Sequence, residues 1–238
     1  MKILLLSDIH ANFSALEACI EAFSGVSFDA ICNCGDSIVY GPFPNQTLHW
    51  LEANNVYSII GNTDKKIIKL LKGKSFKKPK KEEKRVMYTW TAEQLDTSAK
   101  KYLLSLGESL TFTMTDHHIA LFHGSPDHPN EFLFPDTSIQ RFKELAAIYS
   151  FNIVITGHSH MPYHKEISNT HFINPGSVGR MFDSDPSASC AVLTLYNKTI
   201  QVKLHRIPYP VEQTIESLKK NNLPEIYQLM YRLGRKLN

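Results

Sequence analysis

The chain has few cysteines, no long apolar run and little net charge, and each shortage excludes a class of protein. Four cysteines in 238 residues are too few and too unevenly spaced for a disulfide framework, so we expect reduced, mostly buried thiols. No apolar run approaches the roughly 18 residues of a membrane span. The first run, in residues 2–7, lacks the longer apolar segment and cleavage site of a signal peptide. We therefore expect a cytoplasmic protein without a membrane partner.

The closely spaced cysteines of Cys32-Asn33-Cys34 resemble half of a metal site. They lie, however, in the mainly hydrophobic segment 28–34, where small apolar side chains are expected. The pattern therefore favours core packing over metal binding.

Positive charge is concentrated in one segment. Residues 65–85 contain eleven of the 26 basic residues but only two of the 23 acidic ones, although the formal charge of the whole chain is +3. A charge run of this kind is most often a solvated face. Beside an active site, the same charges would steer a polyanionic substrate towards it. The sequence leaves both interpretations open.

The first 60 residues alternate between strands and helices. Buried strands are predicted for three mainly apolar runs, residues 2–7, 30–34 and 56–60. The helix between the first two is predicted to begin at Ser14, which opens a capping-box pattern, and to end at Gly25. Pro44 predicts the start of a second helix. This alternation indicates a sheet with a parallel core covered by helices.

The rest of the chain changes character twice. Residues 65 to about 107 are lysine-rich and mostly helical in pattern, which indicates an insert. Strands are then predicted at 110–114, 119–122 and 152–156, with a helix at about 138–149. Antiparallel strands are predicted at 165–173, 189–196 and 200–207, with turns at Asn169 and at Asn197-Lys198. Amphipathic helices are predicted on either side of Pro224.

Polar side chains follow five of the predicted strands, at the point where each strand ends. They are Asp8 and His10, Asp36, Asn62, His123, and His158 with His160. Because residues two apart in an extended segment point to the same side, we expect Asp8 and His10 to converge. Ligands of open α/β sheets bind outside the carboxyl ends of the strands. We therefore expect all seven side chains to meet at one edge.

These seven side chains have the composition of a metal centre. Imidazole mixed with carboxylate or amide oxygen suits Mn, Fe, Zn, Co or Ni better than Ca or Mg. Seven ligands are too many for one tetrahedral ion and suit two ions that share a bridging carboxylate. Two metals about 3.5–4 Å apart form the usual clamp for in-line displacement at phosphorus. Phosphoester hydrolysis is therefore the leading hypothesis.

The motifs D-x-H, GD, GN-x-D, HG and G-H-x-H, in this order, resemble the calcineurin-like metallophosphoesterase superfamily. The segment NPGSVG at 174–179 is similar to its compact bacterial and archaeal phosphodiesterase branch. The resemblance covers nearly the whole chain and implies one domain over 1–238, including the lysine-rich insert at about 65–107. The implied fold is α/β, a four-layer α-β-β-α sandwich of two mixed β-sheets flanked by helices.

The resemblance also implies roles for the seven residues. One ion would be held by Asp8, His10, Asp36 and His160, and the other by Asp36, Asn62, His123 and His158, so that Asp36 forms the bridge. We expect Asp36, Asn62 and His123 to be the catalytic residues. The cofactors would be two divalent transition-metal ions, with Mn²⁺ preferred and Fe, Ni, Co or Zn as alternatives. These ions would activate a water for attack on phosphorus.

Thr63 departs from many relatives, in which the residue after the GN asparagine is a histidine that protonates the leaving oxygen. The pKa of a threonine hydroxyl is too high for a general acid near pH 7. We therefore expect a preference for leaving groups that depart without a proton, in activated diesters or nucleotide polyphosphates. The alternative is that His128 or His164 supplies the proton.

The sequence leaves a second interpretation open for both the activity and the partners. A catalytically weak metal-binding scaffold of the same fold is the second hypothesis, although such a protein should lose ligands and this chain lacks only the auxiliary acid. The expected partner is a phosphorylated small molecule or nucleotide, and a homo-oligomer stays possible. Nucleic acid has weak support, because little aromatic interleaving accompanies the basic run. Arg180 either contacts a phosphate or lies on the surface.

Overall fold

Ten strands and eight helices occur in the structure, a computed structural model that describes residues 1–75, 77, 79–196 and 199–238. The strands are β1 (Lys2–Leu6), β2 (Ala30–Asn33), β3 (Tyr57–Ser58), β4 (Ser109–Met114), β5 (His117–Phe122), β6 (Ile153–Ile155), β7 (Tyr163–Ile167), β8 (Thr170–Asn174), β9 (Ala188–Tyr196) and β10 (Thr199–Ile207). The helices are α1 (Phe13–Ala22), α2 (Pro44–Ala53), α3 (Asn62–Leu71), α4 (Glu82–Gln94), α5 (Thr97–Ser105), α6 (Ile139–Ile148), α7 (Val211–Lys220) and α8 (Glu225–Leu233).

The strands form two mixed sheets. The first has the order β10-β9-β1-β2-β3, in which β1, β2 and β3 are parallel and the other pairs antiparallel. The second has the order β4-β5-β6-β8-β7, with a parallel centre of β5, β6 and β8. The predicted fold class is confirmed. The parallel centres explain the early βαβ rhythm, and the antiparallel edges explain the later hairpins.

Alternation along the strands divides the core into layers. Ile3 and Leu5 of β1 pack with Leu121 of β5 in the core between the two sheets. Leu4 and Leu6 point the other way, into a core shared with the helices that cover the first sheet. The far face of the second sheet packs on α6. Because side chains alternate across a strand, one apolar run serves two layers, and the four-layer sandwich follows.

Several predicted boundaries were wrong. Helix α1 has Asn12 as its N-cap, whose side chain accepts from the Ala15 amide, and Phe23 as its C-cap, so neither Ser14 nor Gly25 caps it. Asn12 is favoured as the cap because its Oδ1 also accepts from the Thr214 hydroxyl of α7, a contact that no local pattern contains. The predicted third strand is only Tyr57–Ser58.

The described residues agree with the expectations for buried cysteines and for the first turn. All four cysteines are free and buried, and Cys32 and Cys34 pack between the sheets. The β7–β8 hairpin turns at Asn169, which has a φ of 65°. The turn at Asn197-Lys198 lies outside the described residues. Within the described ranges, the lysine-rich insert is mostly helical, comprising α3, α4 and α5, and no helix is long and apolar enough to cross a membrane.

Candidate metal centre

The seven predicted ligands come together where the two sheets meet, but on backbone of unexpected conformation. Five of them have left-handed φ, namely Asp8 at 51°, His10 at 52°, Asp36 at 51°, His158 at 65° and His160 at 59°. The prediction that Asp8 and His10 lie on an extended segment was therefore wrong. Left-handed backbone is costly for non-glycine residues, about 1–3 kcal/mol each, and it clusters at functional sites. The loops turn sharply after each strand, and these turns bring the side chains together.

One set of ligands, which we call the closed group, consists of Asp8, His10 and His160. One ligand atom from each lies within 4.8 Å of the others. The Nε2 atoms of His10 and His160 are 3.3 Å apart, and Asp8 Oδ1 is 3.2 Å from His160 Nε2. All three residues are buried, with no more than 5% of any exposed. The loops after β1 and β6 therefore place three donor atoms around one point.

The second set, which we call the open group, consists of Asp36, Asn62, His123 and His158. Its carboxylate and imidazole donors also lie within 4.8 Å of one another. Asn62 Oδ1 is 3.0 Å from His123 Nε2. Asp36 and His123 are buried, whereas Asn62 and His158 are half-buried. The loops after β2, β3, β5 and β6 thus contribute to this group.

Asp36 lies between the two groups. Its Oδ2 is 3.5 Å from His123 Nε2 in the open group and 3.9 Å from His10 Nε2 in the closed group. The other carboxylate oxygen, Oδ1, accepts a 2.8 Å hydrogen bond from the Thr63 amide at the start of α3. The carboxylate is therefore fixed by one oxygen while the other faces both groups.

Glycines allow the loop after β2 to approach the start of α3. A Cβ on Gly61 would collide with the Asp36 amide and carboxylate, and a Cβ on Gly35, at φ +90°, would lie 2.5 Å from the Gly61 amide. Asp64 then joins the two segments, accepting from the amides of Ser37, Ile38 and Gly61 at 3.1, 3.2 and 2.9 Å. The GN-x-D motif therefore positions Asp36 and Asn62 through its last residue.

The pKa values show what the centre favours. Burial lowers the pKa of His10 to about 3 and that of His158 to about 4, so both rings are neutral near pH 7. Burial acts to raise the pKa of Asp8, but the nearby charge of His160 brings it to about 2. Burial acts to lower the pKa of His123, but Asp36 raises it to about 9. The carboxylates therefore hold a proton on His123 while His10 and His158 stay neutral, so the centre favours a positive charge.

Three further observations fit divalent ions. Asp8 Oδ1 is buried without a hydrogen-bond partner among the described residues, although a buried carboxylate oxygen normally has one. His160 Nδ1 donates to the Arg180 carbonyl at 2.5 Å, and His123 Nδ1 donates to the Cys34 carbonyl at 2.8 Å. These bonds fix the tautomer that leaves Nε2 free to bind a metal. The donor set therefore suits transition-metal ions.

A cavity of about 120 Å³ opens onto both groups. It is lined by His10, Asp36, Tyr40, Asn62, Thr63, Lys84, Phe132, His158, His160, Arg180, Phe182, Lys236 and Asn238. Asp8 and His123 do not line it. A substrate in the cavity would therefore face aromatic and basic side chains beside the predicted ligands, and one of them is Arg180, for which a phosphate contact was one of two predictions.

The structure does not place His128, His164 or the Thr63 hydroxyl to donate a proton to a leaving group in the cavity. Thr63 is 3% exposed, and its hydroxyl donates to the Ile38 carbonyl at 3.2 Å. His164 is hydrogen-bonded to His171 on the β7–β8 hairpin, and His128 is exposed. Neither histidine lines the cavity.

Sequence reasoning missed several neighbours of the seven ligands. Phe132 stacks on His158 with ring centres 3.9 Å apart, and Phe182 stacks on His160 at 4.5 Å. Arg180 is only 8% exposed, so its surface interpretation was wrong. Asp64 was visible in the GN-x-D motif, but nothing in the sequence shows that it binds three backbone amides. Lys84 belongs to the basic segment 65–85, but nothing in the sequence places it or Lys236 in the cavity.

Comparison with known proteins agrees with this fold. Residues 1–198 match the family described as "Calcineurin-like phosphoesterase superfamily domain". The chain therefore belongs to the calcineurin-like phosphoesterase superfamily, whose members are metallophosphoesterases, and the predicted resemblance is confirmed. All seven predicted ligands lie within the matched residues.

Individual relatives resemble the chain over nearly its full length. An uncharacterised protein of Methanocaldococcus jannaschii is 27% identical over 250 residues, covering 98% of each sequence. The crystal structure of a metallophosphoesterase from Sphaerobacter thermophilus is 28% identical, with a TM-score of 0.79 over 98% of this chain and 99% of that one. A hypothetical protein of Pyrococcus horikoshii shares the fold with a TM-score of 0.87 at 20% identity, covering 99% of each chain.

Proposed function

We propose that this chain is an enzyme that hydrolyses phosphodiester or phosphoanhydride bonds with water activated by two divalent ions. The observation that carries the proposal is the position of Asp36 Oδ2, 3.5 Å from His123 Nε2 and 3.9 Å from His10 Nε2. One carboxylate oxygen facing two sets of imidazoles is the arrangement that a bridged pair of ions requires. A crystal structure similar to this chain over 98% of its length is that of a metallophosphoesterase, which supports the same class.

The ligand types select the ions. Four imidazoles, two carboxylates and one amide oxygen suit Mn²⁺ first, with Fe, Ni, Co or Zn as alternatives. The closed group would hold one ion and the open group the other, with Asp36 shared. When bound, such ions supply Lewis acidity towards phosphate oxygens and make a coordinated water acidic enough to attack near neutral pH.

The protein itself contributes position. The Thr63 amide fixes Asp36, and the Cys34 and Arg180 carbonyls fix the rings of His123 and His160. Preorganised ligands need no rearrangement when charge develops on phosphorus in the transition state. The half-buried Asn62 and His158 leave the open group accessible from the cavity, and the phosphate would enter there.

The cavity offers the leaving group no free imidazole as a general acid among the described residues, and this limits which leaving groups can depart. The Thr63 hydroxyl is committed to the Ile38 carbonyl, and among the described cavity residues the imidazoles that remain are ligands of the two groups. A leaving alkoxide would need a proton, and no imidazole there is free to give one. Aryl oxides and phosphates, the latter with a second pKa of about 6, depart without one. We therefore propose activated diesters or phosphoanhydrides as substrates.

The test is hydrolysis of bis-p-nitrophenyl phosphate by protein depleted of metal and then given Mn²⁺. Wild type should show a Mn²⁺-dependent rate, and Asp36→Asn should lose it. Asp116→Asn makes the same chemical change at an exposed position and should behave as wild type. A wild type with no metal-dependent rate on this diester would replace the proposal with the scaffold hypothesis.

A further inference from the structure

Three basic side chains share the cavity with the ligands. Arg180 follows β8, Lys84 lies on α4 in the insert, and Lys236 follows α8. Within the described part of the chain, none of the three has a carboxylate within the 4.0 Å of an ion pair. Cations from three distant segments therefore converge on one cavity without counter-ions among those residues.

Arg180 is the most confined of the three. It is 8% exposed, and its guanidinium carbon lies 4.0 Å from the centre of the Tyr40 ring and 5.3 Å from that of Phe182. Its Nη2 lies 3.7 Å from the sulfur of Met230. Aromatic faces and a thioether hold a guanidinium in place but do not neutralise it. A buried charge without a counter-ion is costly, so this one is suited to an anion that arrives with a ligand.

The position of Arg180 relates it directly to the closed group. The Tyr40 ring, over which the guanidinium lies, is also in contact with the His10 ring, with ring centres 5.4 Å apart. The Phe182 ring, also near the guanidinium, stacks on His160 with ring centres 4.5 Å apart. Arg180 therefore shares aromatic neighbours and one cavity with two residues of the closed group, so that a group attached to a phosphate bound there would lie near the guanidinium.

The two lysines complete the cluster. Lys84 is half-buried, and burial, followed by the charges of Lys236 and Arg180, lowers its pKa. Glu83 offsets part of this charge, and its carboxylate accepts from the Asn238 side chain at 3.4 Å. Lys236 and Arg180 therefore lie close enough to repel the charge of Lys84, and a polyanion would relieve that repulsion.

We propose that Arg180, Lys84 and Lys236 form a subsite for a second phosphate of the substrate, the phosphate that departs when a phosphoanhydride is cleaved. This inference rests on the proposed function and narrows its substrates to compounds with adjacent phosphates. The water oxygen forms the new bond to phosphorus and its proton goes to solvent. The anhydride P–O bond breaks, and its electron pair leaves on the departing phosphate. The three cations balance that charge where a general acid would supply a proton.

The experiment compares two inhibitors of Mn²⁺-dependent bis-p-nitrophenyl phosphate hydrolysis, with Mn²⁺ in excess. Methylenebisphosphonate carries two adjacent anionic groups, and methylphosphonate carries one. In the double variant Lys84→Gln/Lys236→Gln, and separately in Arg180→Met, the inhibition constant of methylenebisphosphonate should rise about tenfold or more. That of methylphosphonate should change by less than about twofold.

The matched control is Lys101→Gln/Lys220→Gln, which removes two exposed lysines outside the cavity and should leave both inhibition constants unchanged. Thermal unfolding checks that Arg180→Met is folded, and the accessible lysine pair keeps the test valid if it is not. Equal shifts for both inhibitors, or equal shifts in the control, would overturn the subsite.

Failure of the proposed function gives a different result. If wild type shows no Mn²⁺-dependent rate, the proposed function fails, and binding of methylenebisphosphonate is then measured by calorimetry on the Mn²⁺-treated protein. Affinity that falls about tenfold in the lysine double variant would still support an anion subsite. Affinity equal in wild type and variant would overturn it.

Discussion

The closed and open groups use the same kinds of side chain, but the protein supports them differently. In the closed group all three ligands are buried, and the His160 ring is fixed by a 2.5 Å hydrogen bond to the Arg180 carbonyl. In the open group, His158 is half-buried, and among the described residues its ring makes no hydrogen bond and is held by stacking on Phe132. Each group has one ring with an outer hydrogen bond, because His123 Nδ1 donates to the Cys34 carbonyl, whereas His10 Nδ1 has no partner among the described residues. The groups therefore differ in burial, and because burial limits the access of solvent to a metal site, we expect the closed group to hold its ion more tightly.

This difference suggests a division of roles. A group whose residues are all buried suits an ion that stays with the protein, whereas a group with half-buried residues suits one that also contacts substrate. Asp36 couples the two, since its Oδ2 faces both. If both groups respond alike when their ligands or supporting side chains are removed, the proposed difference in metal affinity does not exist.

The largest expected effect is that of Asp8→Asn. Asp8 Oδ1 has no hydrogen-bond partner among the described residues, and a neutral amide there would lose the charge that opposes a cation. We expect Mn²⁺-dependent hydrolysis to fall by more than about a hundredfold, beyond the loss typical of an outer partner. Elemental analysis should find one bound ion per chain where wild type binds two. Asp116→Asn is the control, and two ions retained in Asp8→Asn would contradict the assignment.

A smaller and reversible loss is expected for His158→Ala. Asp36, Asn62 and His123 would remain in the open group. Its ion should therefore bind more weakly, but binding should not be lost. We expect a loss of about 10–100-fold at limiting Mn²⁺, largely restored by excess Mn²⁺. His10→Ala provides the comparison within the closed group and should resist rescue. If the two variants need the same Mn²⁺ concentration, the groups do not differ as the structure indicates.

The sequence was sufficient to predict which residues meet, though not how they do so. Asp8, Asp36 and His123 each follow an apolar strand, and strand ends converge in any α/β layer. The left-handed backbone of Asp8 and His10 was not predictable, because neither is a glycine and only the surrounding loops compensate the strain. An extended segment was the natural local expectation, and tertiary contacts overrode it.

The cavity wall was even less accessible to sequence reasoning. Arg180 follows a recognisable motif, but its burial depends on Tyr40 and Met230, which lie 140 and 50 residues away in the chain. The helical character of the insert followed from its composition, whereas the presence of Lys84 in the cavity follows from how α4 packs on the domain. Local patterns contain no information about such pairings.

Thr63 is the residue next to Asn62 of the open group, and its substitution tests how that group handles the leaving group. Thr63→His would add an imidazole beside Asn62 that can donate a proton near neutral pH. We expect turnover of alkyl phosphate esters to rise about tenfold, which is less than the rate enhancement typical of general acid catalysis. Turnover of aryl esters should change little. Thr63→Gln has no titratable group and serves as the control. Equal effects on alkyl and aryl esters would contradict the role given to Thr63.

The stacked phenylalanines allow a subtler test of support. Phe132 is 48% exposed and is the main support of the His158 ring, whereas Phe182 backs a ring that already has a hydrogen bond. Phe132→Leu should weaken Mn²⁺ binding to the open group by about 0.5–1.5 kcal/mol, the value of an aromatic pair. Phe182→Leu should affect the closed group less. Calorimetric titration resolves the two sites, and a larger effect of Phe182→Leu would reverse the ranking.

The smallest expected effect concerns the basic insert, which begins directly after Asp64 and so lies close in sequence to Asn62 of the open group. If its charges steer substrate, the kcat/KM of a dinucleoside polyphosphate should fall about threefold between about 50 and 200 mM NaCl, because salt screens surface charge. The singly charged bis-p-nitrophenyl phosphate should change less. Lys80→Gln/Lys81→Gln, at two exposed positions of the insert, should flatten the salt dependence. A kcat/KM for the polyphosphate that is independent of salt would leave the insert as a solvated face and confine the electrostatic selection to the cavity itself.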